Sequence, residues 1–600
     1  MNFQDFGFIR VGCATPTIKK ANIAENTKNI IDAINDAEIK GISVLLLPEL
    51  SITGANLGNL YSQKQLCDGQ KKALEEICDA TISKDITIIL GAYEKETNRL
   101  YKTHYIINNG DILTDVKDMS LTKDQQQFFA SDFDITEDLF MDIETDITLG
   151  FNENADIHLI TSSQNPTVGQ YEYLKNQIAM LSGKNNNITV YTSLNGISII
   201  AENGKLLASK SAFEKKELLI ADVDLDIVHH DKMQTAYQAS LNIVSPLPIL
   251  NLKMWDGDKL YRNVRPNPFE PETLERLYEN CHEIFEIQSD ALADRLAHTH
   301  SKVSVVGISG GLDSTLALLV TAYAHKKLNK PAEDIIAVTM PGFGTTDRTY
   351  DNAIDMMKSV GATVKEISIV DAVKQHFKDI NHNMDVHDIT YENSQARERT
   401  QILMDIANQE GGIVVGTGDL SEEALGWCTF NGDHISMFGV NAGVPKTVIK
   451  FIVRWFIDVK LKEDLDFSKD NILLAKTLED ILDTPISPEL LPPDENGNIA
   501  QKTEDNVGPY ELHDFFIFHT VRYGVTPQKL AFLAKTAFDG KYDDDFIAKW
   551  LKVFYRRFFA QQFKRSCSPD SPQIGTIDLS PAHWHMPSDA FATQWLNDVK

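Results

Sequence analysis

Residues 309–314 of this 600-residue chain read SGGLDS, between an apolar segment and a predicted helix. Adjacent glycines let the backbone approach an anion closely, and amide groups at a helix start point toward it. Ser309 and Ser314 add hydroxyl donors, while the carboxylate of Asp313 suits a magnesium ion bound to phosphates. The segment has neither the GK[ST] ending of a Walker A loop nor a GxGxxG pattern. It predicts a different kind of phosphate loop, with an ordinary glycine-rich turn as the alternative.

A second run of polar and aromatic residues lies between positions 391 and 447. Residues 391–397 read YENSQAR, 416–422 read GTGDLSE, 425–433 read LGWCTFNGD and 444–447 read VPKT. Each residue alone has an ordinary structural explanation, such as a capping aspartate, a core tryptophan or a surface lysine. Their joint occurrence behind a predicted phosphate loop is poorly explained by chance and favours a substrate site.

These motifs carry a family resemblance over about residues 262–600. The 309–314 loop resembles the pyrophosphate loop of N-type ATP pyrophosphatases, and the later segments resemble those of NAD synthetases. Such enzymes adenylate a carboxylate with ATP, release pyrophosphate and let a nitrogen nucleophile displace AMP. The intervals from Thr417 to Glu422, Asp433 and Lys446, of 5, 11 and 13 residues in turn, fit the family. Residues 265–269 (RPNPF) and 441–447 (NAGVPKT) are similar to its long bacterial branch.

The resemblance implies a role for each matching residue. The residues expected to bind ATP are Gly307, Ser309, Gly310, Gly311, Asp313, Ser314 and Thr417. Those expected to bind deamido-NAD are Asn393, Glu422, Trp427, Phe430 and Lys564. Asp313 and Glu422 are expected to hold Mg²⁺. In catalysis, Asp433 is expected to accept a proton from the incoming ammonium, and Lys446 to stabilise the transferred charge.

A basic cluster near the C-terminus, Arg556, Arg557, Lys564 and Arg565, stands out in an acidic chain. One interpretation is a solvated helix face. The other is that Lys564, in a Phe-Lys-Arg-Ser segment similar to one near the family's C-terminus, reaches deamido-NAD. The residues alone do not decide between them.

In the long branch of the family, the N-terminal half is a nitrilase-like glutaminase with a Cys nucleophile, a Glu base and a Lys. Glu49, in the LPEL segment 47–50, takes the base position, and Lys117 is the first candidate for the lysine, with Lys123 the second. The nucleophile position best matches Asn152, and no cysteine lies between Cys78 and Cys281. Because an amide cannot form the thioester, we expect a degenerate glutaminase site.

The predicted function is therefore an NAD synthetase that amidates deamido-NAD with free ammonia, using ATP and Mg²⁺. The first alternative keeps glutamine as donor, with a displaced nucleophile. A tRNA-modifying enzyme of the same loop family and a non-catalytic sensor protein are further alternatives. The net charge and the 417–446 set argue against the tRNA enzyme, and the presence of Asp313 and Glu422 argues against the sensor.

Composition narrows the class of protein. There are 57 lysines and arginines against 86 aspartates and glutamates, a formal net charge of −29, which argues against nucleic acid as the main partner. No apolar run reaches the ~18 residues of a membrane helix, and the N-terminus lacks the pattern of a signal peptide. The six scattered cysteines suggest reduced thiols in a cytoplasm. The family resemblance implies a large homo-oligomer.

The elements that must position these residues change along the chain. Residues 1–240 predict mixed helices and strands, with a helix over 21–40, a buried strand over 42–47, and tight hairpins at Asn109-Gly110 and Asn203-Gly204. The proline-rich stretch 241–270 predicts a linker. Together with the resemblance, this predicts a nitrilase-like αββα sandwich, a degenerate glutaminase domain.

From 271 to 600 the pattern becomes alternating strand and helix. The predicted strands cover 303–308, 335–340, 364–369 and 413–416, and the predicted helices cover 314–327, 350–360 and 395–408. Such alternation is typical of a doubly wound parallel sheet. The expected fold class is α/β throughout, with an adenine nucleotide alpha hydrolase-like synthetase domain in this second half.

Overall fold

The computed structural model describes residues 6–96, 99–118, 141–144, 156–235, 259–484 and 503–599. The chain divides into two compact units, Met1–Asn263 and Val264–Lys600, here called the first and second unit. The division falls inside the stretch predicted as a linker. Within the described ranges, none of the helices is long and apolar enough to span a lipid bilayer.

The first unit is built from eleven described strands and four helices. The strands are β1 (Phe8–Ala14), β2 (Val44–Leu46), β3 (Thr87–Glu96), β4 (Arg99–Asn108), β5 (Asp111–Asp118), β6 (Met141–Glu144), β7 (Ile157–Ser162), β8 (Ile188–Ser193), β9 (Ser198–Glu202), β10 (Lys205–Lys210) and β11 (Leu218–Asp224). The helices are α1 (Ile23–Ile39), α2 (Lys64–Asp79), α3 (Gln170–Asn185) and α4 (Leu225–Thr235), with a 3₁₀ turn over Gly58–Ser62.

Two sheets face each other in this unit, in the orders β11-β1-β2-β3-β4-β5 and β10-β9-β8-β7-β6. Side chains alternate between the faces of a strand. In β2, Val44 and Leu46 therefore join the core between the sheets, while Leu45 packs outward against α1 and α2. The α3 helix covers the outer face of the second sheet. The predicted αββα sandwich is confirmed.

Both predicted hairpins form. Asn109 and Gly110 have φ angles of 47° and 87°, and they join β4 to the antiparallel β5. Asn203 and Gly204, with φ of 45° and 83°, join β9 to β10 in the same way. Positive φ at both central residues is the type I′ geometry, which matches the twist of the flanking strands.

The second unit contains a small sheet and many helices. Its strands are β12 (Ser304–Gly307), β13 (Ile335–Thr339), β14 (Thr363–Glu366), β15 (Ile413–Gly416) and β16 (Phe438–Gly439). Its helices are α5 (Leu274–His298), α6 (Leu312–Lys327), α7 (Asp347–Val360), α8 (Val370–Asp379), α9 (Ile389–Glu410), α10 (Leu420–Leu425), α11 (Lys446–Trp455), α12 (Leu461–Glu463), α13 (Asn471–Leu482), α14 (Thr503–Val507), α15 (Tyr510–Tyr523), α16 (Pro527–Ala537), α17 (Asp544–Ala560), α18 (Gln562–Arg565) and α19 (Thr593–Asp598). A 3₁₀ turn covers Ala332–Asp334, and a π-helical turn over Phe456–Lys460 follows α11.

The strand order of the second unit is β14-β13-β12-β15-β16, and every pair is parallel. Helices α5, α6, α7 and α11 contribute to the core on one face, and α8 and α9 to the core on the other. This confirms the doubly wound sheet. The chain order reverses between β12 and β15, and in such folds ligands bind at the carboxyl ends of the strands at that point.

One predicted helix start is wrong. The sequence predicts a helix over 395–408, but α9 already begins at Ile389. Asp388 caps it, because its carboxylate accepts hydrogen bonds from the amides of Thr390 and Tyr391. Asn393 therefore lies on the helix and not in a loop.

Candidate active site

The site of the second unit lies where β12 and β15 run side by side. The 309–314 loop follows β12 and leads into α6, while residues 417–419 follow β15 and lead into α10. Because parallel strands end at the same edge of a sheet, the two loops are brought together at the switch point. The first loop and the start of α6 thus lie where a nucleotide is expected.

Gly310 is required by the backbone of the phosphate loop. Its φ is +88°, a left-handed conformation that side chains rarely adopt, and a Cβ added there would lie 2.1 Å from the carbonyl oxygen of Thr349 on α7. Gly311, which precedes the first residue of α6, makes no side-chain cap. The bare helix start leaves its amide groups to an anion.

The two loop serines hold each other. Their hydroxyl oxygens lie 3.2 Å apart, and Ser314 Oγ also donates to the Gly311 carbonyl at 3.1 Å. Ser309 Oγ accepts from the Gly311 amide at 3.2 Å. Ser309 is exposed and Ser314 buried, while Gly307 at the end of β12 is half-buried. The loop is therefore preorganised by its own hydroxyls.

Lys446, the first residue of α11, lies among three carboxylates. Its Nζ is 2.7 Å from Asp313 Oδ2, 2.8 Å from Asp419 Oδ2 and 2.8 Å from Glu422 Oε1. The lysine side chain is 2% exposed, whereas those of Asp313 and Glu422 are 25% and 20% exposed. Three predicted site residues from three separate segments are thus in direct contact.

Burial and charge together shift the pKa values of this group. Burial raises the pKa of Asp419 to about 7, with repulsion from Asp313 acting in the same direction. Burial likewise raises the pKa of Glu422 well above its ordinary value. Burial would lower the pKa of Lys446, but the three carboxylates overcome this and raise it. Lys446 is therefore charged at neutral pH.

The same carboxylates suit a divalent cation. One oxygen each of Asp313, Asp419 and Glu422 lies within 4.8 Å of the others, and carboxylate oxygens are the ligands Mg²⁺ prefers. The donor set therefore fits the ion that the family resemblance implies. The Lys446 ammonium now lies against these oxygens, so a metal bound by them requires the lysine to move.

Sequence reasoning gave no role to two residues of this site. Asp419 caps α10 by accepting a hydrogen bond from the Glu422 amide at 2.9 Å, and it also contacts Lys446. The Asn441 side chain donates to the carbonyls of Asp313 and Thr417, at 2.9 and 3.1 Å. It thus ties the two loops together, a contact that spacing along the chain does not reveal.

The aromatic segment lies just after α10. The Trp427 amide donates to the Glu422 carbonyl at 2.9 Å, which joins this segment to the carboxylate group. Asn393 on α9 accepts from the Thr429 hydroxyl at 2.8 Å, and Asp433 Oδ1 accepts from the Thr429 amide at 2.8 Å. The Phe430 ring contacts those of His434 and Phe563, with centroids 5.2 and 5.3 Å apart.

Lys564 reaches this segment from α18. Its Nζ donates to the carbonyls of Gly426 and Cys428 at 2.8 and 2.7 Å. Burial lowers the pKa of Lys564. The structure therefore brings four of the five residues assigned to deamido-NAD, namely Asn393, Trp427, Phe430 and Lys564, to one segment, and the fifth, Glu422, lies on the helix before it.

The basic cluster is not simply a solvated face. Arg565 is 1% exposed and donates to the carbonyls of Glu423 and Ala424, at 3.1 and 2.9 Å. Arg557 donates to the Leu425 carbonyl at 2.9 Å, and its guanidinium lies 5.1 Å from the centre of the Trp427 ring. Cations interact favourably with the negative, carbonyl end of a helix dipole, so these residues stabilise the end of α10. Of the cluster, Arg556 is exposed.

In the first unit, Glu49 forms an ion pair with Lys102, a residue to which the sequence analysis assigns no role. Lys102 Nζ on β4 lies 2.5 Å from Glu49 Oε1, and both side chains are 2% exposed. The backbone of Lys117 lies in β5 opposite Thr103, and its side chain is outside the described part of the chain. Lys123 and Asn152 lie outside the described residues altogether. The Lys117 and Lys123 predictions therefore stay predictions.

Comparisons with known proteins match both units. A family model described as NAD synthase matches residues 284–457, and one described as carbon-nitrogen hydrolase matches residues 10–124. A glutamine-dependent NAD(+) synthetase from Mycobacterium leprae (strain TN) is 31% identical over an alignment covering 100% of this chain and 98% of that protein. One from Thermotoga maritima is 25% identical, covering 86% of this chain and 89% of its own length.

Among solved structures, a glutamine-dependent NAD(+) synthetase from Cytophaga hutchinsonii aligns with 99% of this chain and 100% of its own, with a TM-score of 0.44 and 19% identity. The full-length sequence similarity and the two family matches agree with the two folds described above. The chain therefore belongs to the NAD synthetase family, in the long form that joins a nitrilase-like carbon-nitrogen hydrolase domain to the synthase domain, and is an ATP-dependent amidating ligase.

Proposed function

We propose that this enzyme converts deamido-NAD to NAD with free ammonia as the nitrogen donor. A carboxylate oxygen of deamido-NAD attacks the α-phosphorus of ATP, and the bond to the bridging oxygen breaks to release pyrophosphate. Ammonia then attacks the acyl carbon of the adenylate, and the bond to AMP breaks. Adenylation is needed because a carboxylate is a poor electrophile and AMP is a good leaving group.

The phosphate loop would hold the pyrophosphate end of ATP. The amides at the start of α6 and the hydroxyls of Ser309 and Ser314 are hydrogen-bond donors, and the glycines leave room for close approach. Thr417, whose carbonyl Asn441 fixes, would contact ATP from the β15 side. Preorganised donors of this kind stabilise developing charge without a reorganisation cost.

Lys446 and the carboxylates would manage charge during adenylation. Mg²⁺, held by Asp313 and Glu422 with Asp419 beside them, would neutralise the triphosphate. Lys446 would supply its positive charge to the transferring phosphoryl group. In the second step Asp433, oriented by the Thr429 amide on Oδ1, would take the proton from the attacking nitrogen at Oδ2. Trp427 and Phe430 would stack the nicotinic acid ring.

The proposal that ammonia is the donor depends on one observation, the absence of any cysteine between Cys78 and Cys281. The nitrilase-type glutaminase needs a thiolate, and its position is matched by Asn152.

The names of the relatives favour the other donor, since they are glutamine-dependent enzymes. In this chain a displaced nucleophile would have to come from a cysteine elsewhere in the first unit. Burial raises the pKa of the Cys13 and Cys78 thiols, which disfavours the thiolate. Cys67 is half-buried and accepts a hydrogen bond from the Tyr93 hydroxyl at 3.4 Å. These environments support ammonia over a displaced thiol.

The test supplies the purified enzyme with ATP, Mg²⁺ and deamido-NAD, and adds either ammonium or ammonia-free glutamine. We expect NAD with ammonium, and neither NAD nor glutamate with glutamine. Glutamate released in step with NAD would show that glutamine is the donor. The matched control is Lys102→Met with Glu49→Gln, because it removes the base of an intact glutaminase without leaving one charge of the buried pair alone, and it should keep the ammonia-dependent rate.

Two broader features complete the proposal. All six cysteines lie in described residues and are free, which supports a reducing cytoplasm as the place of action. A homo-oligomer is proposed from the family resemblance. Sedimentation of the purified chain tests it.

A further inference from the structure

Helix α15 lies beyond the segment 284–457 matched by the NAD synthase model. It nevertheless contacts Lys446 and the helices that carry Glu422 and Lys446. Two residues one turn apart on this helix make the contacts. The Tyr510 ring centre lies 5.4 Å from Lys446 Nζ. Asp514 hydrogen-bonds the first turns of α10 and α11, the helices that carry Glu422 and Lys446.

The Asp514 carboxylate joins these two helix starts. One oxygen accepts from the Ser421 hydroxyl, next to Glu422 on α10. The other accepts from the amide and the hydroxyl of Thr447, at 3.1 and 2.7 Å. The Lys446 amide in turn donates to Ser421 Oγ at 2.9 Å. A closed network therefore runs from α15 through both helix starts.

A buried carboxylate is costly unless donors surround it. Asp514 is 2% exposed, and three donors meet it, so it is well satisfied where it stands. Moving either helix start would break at least one of these bonds. The network thus couples the position of Glu422 to that of Lys446, whose side chains meet at 2.8 Å.

We propose that Asp514 is a positioning residue for the synthetase reaction, which sets the Glu422–Lys446 geometry through Ser421 and Thr447. This places α15 within the catalytic apparatus, although the residue itself touches neither of the reacting groups. The proposal rests on the roles of Lys446 and Glu422 proposed above.

The experiment measures ATP–pyrophosphate exchange dependent on deamido-NAD in the full-length enzyme, with kcat and the KM for ATP determined separately. The variants are Asp514→Asn, Thr447→Val, Thr447→Ser and the double variant of the first two. Thr477→Val is the matched control, because the hydroxyl of this buried threonine bonds within its own helix, to the Leu473 carbonyl at 3.0 Å. Lys446→Met reports on the proposed function itself.

Removing a residue that hydrogen-bonds and orients a group of the active site typically lowers activity roughly 10- to 100-fold. We expect a kcat loss of that size in Asp514→Asn and in Thr447→Val, with the KM for ATP within about threefold of the original. Thr447→Ser, which keeps the hydroxyl, should retain activity. The double variant should lose no more than the worse single variant, because both break one network.

The results separate the two proposals. Exchange surviving in Lys446→Met would overturn the role of Lys446, and with it the positioning role. An inactive Lys446→Met beside a folded, active Thr447→Val would overturn the positioning role alone. Equal losses in Thr447→Val and Thr477→Val, or in Thr447→Val and Thr447→Ser, would show that only stability is affected. If Asp514→Asn does not fold, the two Thr447 variants still decide the matter.

Discussion

Lys446 is the residue whose charge decides the state of the proposed metal site. Its single ammonium lies within 2.8 Å of one oxygen each of Asp313, Asp419 and Glu422. A metal ion and the ammonium compete for the same oxygens. If these oxygens hold the metal as proposed, the lysine is a resident cation that would have to leave before Asp313, Asp419 and Glu422 could share a divalent ion.

The first prediction concerns Lys446→Met without ATP. Removing the ammonium frees the oxygens of Asp313, Asp419 and Glu422 for a cation, so we expect Mn²⁺ to bind at least ~10-fold more tightly than to the original enzyme. Electron paramagnetic resonance of free Mn²⁺ measures this. Lys450→Met, an exposed lysine one turn along α11, is the control and should change nothing. Unchanged or weaker Mn²⁺ affinity in Lys446→Met would contradict the competition.

The second prediction concerns the Lys102–Glu49 pair of the first unit. Removing one partner of a buried ion pair typically costs about 3–5 kcal/mol, because the other charge is left uncompensated. We expect Lys102→Met to destabilise the first unit by that order and Lys102→Met with Glu49→Gln to recover part of it. Hydrogen exchange of the backbone amides of β2, β3 and β4, measured in urea, reports the stability of this unit. Lys95→Met, at an exposed lysine, is the control. If Lys102→Met lowers the free energy of unfolding no more than Lys95→Met does, the ion pair is not important for stability.

At the scale of elements, the loop between β12 and α6 is fixed by one glycine. The third prediction is that Gly310→Ala loses ATP–pyrophosphate exchange, since its Cβ would overlap the Thr349 carbonyl and α6 would have to shift away from α7. The strained φ alone costs on the order of 1–3 kcal/mol. Gly575→Ala, where a Cβ meets nothing within 4 Å, is the control. Full exchange in Gly310→Ala would mean that the loop geometry is not needed.

Elements and site residues differ in how far the sequence predicts them. Local signals succeed: the Asn-Gly pairs produce both hairpins, and the alternation after 271 produces the parallel sheet, because each depends on neighbouring residues. The start of α9 is missed because its first turns are polar and its cap, Asp388, stands before them. Lys102 and Asp514 are missed because their partners lie 53 and 67 or more positions away, and no spacing rule connects them.

At the scale of the whole molecule, the two units differ in their buried titratable groups. In the first unit burial lowers the pKa of His104 to about 3 and of His158 to about 4. In the second unit burial lowers the pKa values of His325 and His513 to about 4 in the same way. Burial also raises the pKa of Asp419 to about 7 and that of Glu423 to about 8. The acids and the histidines of the second unit therefore respond to pH in opposite directions.

The last prediction follows from those signs. A histidine whose pKa is lower in the folded state contributes its full stabilisation of the fold at pH values above 6.5, the pKa it has in the unfolded chain. This stabilisation is lost as pH falls toward the folded-state pKa values of 3–4. An acid whose pKa is higher in the folded state contributes its full stabilisation of the fold at pH values below the pKa it has in the unfolded chain. This stabilisation is lost as pH rises through the folded-state pKa values of 7–8. Each histidine contributes a slope of at most about 1.4 kcal/mol per pH unit.

On acidification from pH 7 to 5 we therefore expect the first unit to lose stability before the second, in which the acids offset the histidines. His229, whose pKa is raised by its hydrogen bond to Asp156, opposes this only weakly because it is half-exposed. Hydrogen exchange of β4 and β7 against β12 and β13 across this pH range measures the difference. His104→Gln, which can keep a bond to Thr161, should flatten the response of the first unit, whereas exposed His298→Gln should not change it. Equal loss in both units, or a first unit that gains stability as pH falls, would show that the buried histidines do not govern its acid sensitivity.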